Sequence, residues 1–239
     1  MLVTVSGPPG SGKSTTAAGL ADALGHEHVS GGDVFRSVAA ERGLSARLLS
    51  SSAESPPGSG KSTTAAGLAY ALGHEHVSGG DVFRSVAAER GLSALELNKR
   101  AEEDDEIDRE LDRRQRELAR NRENVVLESR LAGWMAAEHA DLRVWLDAPI
   151  EARISRIAER EDRSVGEARE ETVARADSEA LRYREYYGID IADLSIYDVV
   201  VNTARWDAEG VLAVVKAAVA AYDPAADEGG VTVEADYGL

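Results

Sequence analysis

One short run constrains this chain more than any other. Residues 7–14 read Gly-Pro-Pro-Gly-Ser-Gly-Lys-Ser and satisfy G-x-x-x-x-G-K-[ST]. Before them stands Leu2-Val3-Thr4-Val5-Ser6, an apolar, β-branched stretch that predicts a buried strand over 2–6. After them Thr15-Thr16-Ala17-Ala18-Gly19-Leu20-Ala21-Asp22-Ala23-Leu24 predicts a helix. Strand, glycine-rich turn and helix in that order form a cradle for phosphate. Backbone N–H groups wrap the anion, and the positive end of the helix dipole faces it. Gly7, Pro8, Pro9, Gly10, Ser11, Gly12, Lys13, Ser14 and Thr15 are the candidate ATP-binding residues. In such a cradle Lys13 reaches the β- and γ-phosphates and the Ser14 hydroxyl holds Mg²⁺.

The same motif nearly recurs. Residues 8–46 repeat as 56–94 at an offset of 48, with Asp22 against Tyr70 the sole mismatch in 39 positions. Solenoid repeats diverge and come in longer arrays, so two near-identical copies read as a tandem duplication. Their preludes differ. Where the first copy has the apolar strand and Gly7, the second has Ser50-Ser51-Ser52-Ala53-Glu54 and Ser55, which is linker chemistry. The second loop, residues 55–62, thus lacks both its first glycine and a strand to anchor it, and reads as a passenger. The expected organisation is one domain over 1–222, interrupted by a surplus of 48 residues at about 47–94, and an acidic disordered tail over 223–239.

Composition narrows the classes. Of 239 residues, 43 are Asp or Glu and 27 Lys or Arg, giving a net charge of −16. Residues 47–94 carry four charges of each sign, so the whole excess belongs to the remaining 191. Strong acidity argues against a nucleic-acid partner. The longest apolar runs, such as 211–215, are too short to cross a bilayer, and the first residues lack the pattern of a secretory leader. The absence of Cys excludes disulfides and thiolate metal sites. A cytoplasmic, monomeric protein is the expectation. Only four basic residues are Lys against 23 Arg, a bias that fits either a high-salt cytoplasm, where screening relieves self-repulsion, or a GC-rich genome.

Further strands are expected at 26–29 or its duplicate, 124–128, 142–147 and 198–202, separated by helical patterns. That alternation predicts an α/β fold: a five-stranded parallel sheet with helices on both faces and ligands beyond the strand C-termini. A charged helix from Asp105 to Arg120, with Ile107, Leu111 and Leu118 as its apolar stripe, precedes the third strand. Arg153, Arg156, Arg160 and Arg163 form one stripe on the helix after the strand at 142–147, and Arg175 and Arg182 lie seven apart on the next. Such arginines either close over phosphates or pair with the interleaved Glu151, Glu159 and Glu161. Arg160 and Arg182 are the candidates for the catalytic role beside Lys13.

Several stretches together resemble archaeal-type cytidylate kinases. They are the start through Ser14, Val29-Ser30-Gly31-Gly32-Asp33-Val34-Phe35-Arg36, Val126-Leu127-Glu128-Ser129-Arg130-Leu131-Ala132-Gly133-Trp134, Arg182-Tyr183-Arg184-Glu185-Tyr186-Tyr187-Gly188-Ile189-Asp190, Asp193-Leu194-Ser195-Ile196-Tyr197-Asp198 and Val201-Asn202-Thr203-Ala204-Arg205-Trp206. The resemblance implies a P-loop NTPase fold with acceptor-binding and lid helices, and transfer of phosphoryl from ATP to CMP or dCMP with Mg²⁺. The acceptor would be held by Asp33 and Arg36, or their duplicates Asp81 and Arg84, together with Arg130. An Arg fork suits the monophosphate, and a carboxylate accepts from the exocyclic amine of cytosine. Asp33 could instead cap a helix, Arg130 could pair with Glu128, and which copy supplies the acceptor residues stays open. Another small-molecule kinase, or a nucleotide binder whose turnover the insert impairs, would fit the same motifs. Asp147 ends a strand where a Mg²⁺-associated carboxylate can stand, or merely closes a turn. Arg205 and Trp206 follow the last strand, where adenine could pack on 202–204. His26 and His28 lack a third ligand motif and read as polar edge residues rather than zinc ligands.

Overall fold

The computed structural model describes residues 1–30, 106–121 and 124–233. Asp33, Arg36, Asp81, Arg84, the second loop and the surplus 47–94 lie outside the described residues.

Five strands, β1 (Leu2–Ser6), β2 (Glu27–Ser30), β3 (Val125–Glu128), β4 (Leu142–Asp147) and β5 (Val199–Asn202), pair in the order β2-β3-β1-β4-β5, every pairing parallel. The central strands β1 and β3 are buried along their whole length, as parallel strands covered on both faces must be. Strand β2 comes from the first copy of the repeat and runs in register with β3, Val29 opposite Leu127.

Helices α1 (Lys13–Leu24) and α6 (Ala208–Ala221) cover one face of the sheet. There Val3, Val5, Val144 and Leu146 pack against Leu20, Val211 and Val215. The helices α2 (Glu106–Asn121), α3 (Ala132–Met135), α4 (Ile150–Glu161) and α5 (Val165–Tyr187) complete the described set. Alternation along β4 turns Trp145 to the opposite face, where it joins Trp134, Met135, Tyr183, Tyr187 and Tyr197. The Tyr197 ring lies so close over α3 that a Cβ on Gly133 would come within 2.4 Å of it. Helix α5, 23 residues long, starts in a capping box of Ser164 and Glu167 and ends at Gly188 in the left-handed region, φ 67°.

The tail touches the domain at a few points as far as it is described. Buried Arg143 donates from Nη1 to the carbonyl of Val231 at 3.0 Å, and Val233 packs against the Trp134–Tyr197 cluster. The Tyr222 hydroxyl donates to Asp227 at 2.7 Å. Residues 223–233 form no helix or strand and are exposed at all positions but Val233.

Because β1 leads across to β2 and β3 leads back across to β4, the connections leave neighbouring strands β1 and β3 in opposite directions. A crevice opens at their C-terminal ends, the place where open α/β sheets bind ligands.

Candidate active site

The loop 7–14 fills that crevice, and its glycines are demanded by space as well as by dihedral angle. Gly7 has φ 146°, and a Cβ there would lie 2.0 Å from the carbonyl oxygen of Leu146 on β4. Gly10 has φ 76°, and its Cβ would meet the Arg153 backbone at 2.8 Å. Gly12, φ 91°, stands at the N-cap of α1 with no side-chain cap. The first turn of α1 also carries no acidic residue, so no carboxylate of the helix's own first turn competes with an anion for the N–H groups at this helix start. Ser55, at the position of Gly7 in the second copy, has the Cβ that this seat excludes.

Lys13 is buried and folds back so that Nζ donates to the Pro8 carbonyl at 3.0 Å. Its pKa is lowered from 10.5 to about 8, foremost by burial. Glu128 and Glu179 oppose that shift and Arg130 and Arg160 reinforce it, so these four charged groups surround the ammonium. The Ser14 hydroxyl donates to Oε2 of Glu128 at 3.1 Å. Glu128, buried at the end of β3, is thus the strand-end carboxylate beside the loop. Asp147 is not: half-exposed, it accepts from the Ala148 N–H at 2.7 Å and lies 3.8 Å from Arg153. The reason is topological, because β3 and not β4 borders β1 on the side of the crevice.

The arginine stripe divides. Arg153 donates to the carbonyls of Ala148 at 3.0 Å and Pro9 at 3.5 Å. Arg156 donates to the Gly10 carbonyl at 3.2 Å and to both the hydroxyl and the carbonyl of Thr203, at 2.9 and 3.0 Å. Thr203 in turn donates to the Asp147 carbonyl at 3.0 Å. Arg153 thus ties the loop to the turn after β4, and Arg156 ties it to the segment after β5. Further along α4, Arg160 pairs with Glu161 at 2.8 Å, and Arg163 reaches Glu161 at 3.4 Å and Glu171 on α5. Pro9, Arg160, Arg163, Glu171 and Arg175 line one cleft between the loop and the helix pair.

Arg130, just past β3, pairs with Glu179 of α5 rather than with Glu128. Glu179 is buried, and its other oxygen lies 3.7 Å from Arg175. Arg182 is buried on the same helix, about one turn beyond. Arg205 and Trp206 are exposed after β5, while Thr203 points inward. His26 and His28 lie at the start of the sheet, remote from the crevice, and no group of three or more potential metal-binding side chains occurs among the described residues.

Sequence reasoning missed Glu128 and Glu179 as parts of the site, and it placed Thr203 only within the stretch 202–204 without its tie to Arg156. Glu128 carried one signal, a carboxylate closing an apolar strand. Glu179 carried none, and the partner of Thr203 could not be read, since both roles depend on how α5 and β5 return to the crevice.

A model of the cytidylate kinase-like family matches residues 2–205. The chain belongs to the cytidylate kinase-like family. A protein of Natronomonas pharaonis named cytidylate kinase is 66% identical over 234 residues, covering 98% of this chain and 97% of that one. Another of that name from Pyrococcus horikoshii is 51% identical over 229 residues, covering 96% and 93%. Among solved structures, an uncharacterized protein from Eubacterium ventriosum superposes with a TM-score of 0.54 at 11% identity, over 92% of this chain and 99% of that one, a likeness of fold alone. No helix among the described residues of this family member is long and apolar enough to cross a membrane.

Proposed function

We propose that this chain transfers the γ-phosphoryl group of ATP to CMP or dCMP, giving ADP and CDP or dCDP. The reading is carried by what meets at the β1–β3 crevice: a glycine-wrapped, uncapped helix start with Lys13, the Ser14–Glu128 pair, and Arg130. The names of the relatives agree with it.

Phosphoryl transfer needs little covalent chemistry from the protein. It needs in-line positioning and positive charge in a site that closes. The loop N–H groups and the start of α1 hold the donor's β- and γ-phosphates. The Lys13 ammonium swings from the Pro8 carbonyl to those oxygens. Partial desolvation in the crevice strengthens that contact, since a buried ammonium interacts through a lower effective dielectric than a hydrated one. Arg160 and Arg182, on the two helices beyond the loop, approach the transferring group when the helix pair closes. Arg130 takes the acceptor's phosphate. Asp33 and Arg36, or Asp81 and Arg84, take the rest of the nucleotide.

Hard oxygen donors suit Mg²⁺, and the Ser14 hydroxyl 3.1 Å from the Glu128 carboxylate is such a set. These two residues would hold the ion directly or through water. The ion would supply positive charge against the negative charge that develops on the phosphate oxygens. We take the working unit to be one monomeric cytoplasmic domain over 1–222 that carries a surplus of 48 residues at about 47–94.

ADP formation measured with CMP, dCMP, UMP and AMP tests the reading. Turnover with CMP and dCMP is expected. Turnover with UMP or AMP alone contradicts the acceptor, and nucleotide binding without any turnover favours a binder whose closure the insert blocks.

A further inference from the structure

Helix α5 buries a carboxylate where its own packing would favour an apolar side chain. Taking a carboxylate out of water is costly, and even a paired one is often no more stable than a hydrophobe of similar size. Glu179 nonetheless lies 6% exposed, with its two oxygens turned to arginines from different parts of the chain. Oε2 accepts from Nη1 of Arg130, which follows β3, and Oε1 faces Nη2 of Arg175, one turn earlier on α5, at 3.7 Å.

Glu179 is therefore the one described acidic group that joins the acceptor edge of the crevice to the long helix beside the loop. It also lies near enough to Lys13 for its charge to act on the ammonium. Among the described residues Arg130 makes no other side-chain hydrogen bond or ion pair. With Nη1 committed to Glu179, the remaining N–H groups of the planar fork are left for a ligand.

We infer that Glu179 is a positioning residue for the acceptor: its carboxylate orients the Arg130 guanidinium for the nucleoside monophosphate and ties that arginine to α5. The inference rests on the proposed reading of Arg130 as the acceptor-phosphate ligand. Without the carboxylate, Arg130 and Arg175 repel each other, and Arg130 loses its orientation before the anion arrives. The donor side keeps its own supports, since the loop is held by Arg153, Arg156 and the Lys13–Pro8 contact. The loss of Glu179 thus falls chiefly on the acceptor, with Lys13 still faced by Glu128.

The test is steady-state kinetics of the full chain with CMP and ATP varied separately. Glu179→Gln is expected to raise KM for CMP about tenfold or more, the scale of one charge-assisted contact, and to leave KM for ATP within about twofold. In an Arg130→Lys background, where the planar fork is already gone, Glu179→Gln is expected to add little further. If Glu179→Gln does not fold, Glu179→Asp keeps the charge on a shorter arm and is read by the same split between the two KM values. Equal rises in both KM values, a lowered Tm with unchanged kinetics, or full additivity with Arg130→Lys would overturn the inference while leaving the kinase reading intact. Wild-type protein with no transfer to CMP would overturn the kinase reading, and this inference with it.

Discussion

The two ends of α4 carry the same residue type in one continuous stripe and do different work. At the root, Arg153 and Arg156 are bonded to backbone carbonyls of the loop and of the segment after β5. At the tip, Arg160 and Arg163 meet only carboxylates, Glu161 and Glu171. A carbonyl of a packed loop cannot leave its arginine without unfolding the loop. An ion pair can exchange its carboxylate for a phosphate of higher charge without disturbing the loop. The contrast separates a frame that shapes the cradle from charges that remain exchangeable, although the spacing of the four arginines is regular throughout.

The most damaging way to break the frame is at the loop itself. Gly7→Ala sets a methyl group 2.0 Å from the Leu146 carbonyl at a positive φ. It is expected to abolish ATP binding by calorimetry and to lower stability by several kcal/mol. Next comes the root of α4. Arg156→Ala removes three hydrogen bonds, at about 3 kcal/mol in all, or roughly 8 °C in Tm. KM for ATP should rise with it, because Gly10 and Thr203 lose their common tie. Arg160→Ala, at the tip, should do the reverse: Tm nearly unchanged by calorimetry, with kcat down about a hundredfold. Similar Tm losses in these two variants would erase the distinction between root and tip.

A smaller effect follows from the pKa of Lys13, near 8 in the ligand-free fold against 10.5 unperturbed. Phosphate binding needs the ammonium, so kcat/KM for ATP should fall as pH rises through about 8. The profile of kcat should turn down at higher pH, since bound phosphates favour the charged form. Stability should move oppositely. Between about 8 and 10.5 the unfolded chain holds the proton that folded Lys13 has lost, so this group's contribution to stability rises with pH across that window. Denaturant melts at pH 7 and pH 10, compared with those of Lys13→Met, isolate the contribution.

Much of this was legible in the sequence because it is written locally. The motif at 7–14, the apolar run before it and the alternation of strand and helix specify the parallel sheet, and all five strands lie within a residue or so of the positions that pattern predicts. The repeat was legible too: the first position of the motif is Gly7 in one copy, where space excludes a Cβ, and Ser55 in the other. What periodicity could not give was partnership across the fold. The stripe on α4 predicts a shared face but not that Arg156 would reach Gly10 and Thr203 while Arg160 would not. The carboxylate beside Ser14 was sought on β4 and stands on β3, because strand order is a property of the whole sheet. The contact of buried Arg143 with the Val231 carbonyl likewise has no local signature in the sequence.

The claim on which the rest depends is that phosphoryl transfer runs through the loop anchored on β1 and not through its copy. Transfer of label from γ-labelled ATP to CMP, followed for the wild type, Lys13→Ala and Lys61→Ala, tests it most directly. The account predicts labelled CDP from the wild type and from Lys61→Ala, with the rate of Lys13→Ala lower by about a thousandfold. Labelled CDP from Lys13→Ala but not from Lys61→Ala, or none from the wild type, would contradict it.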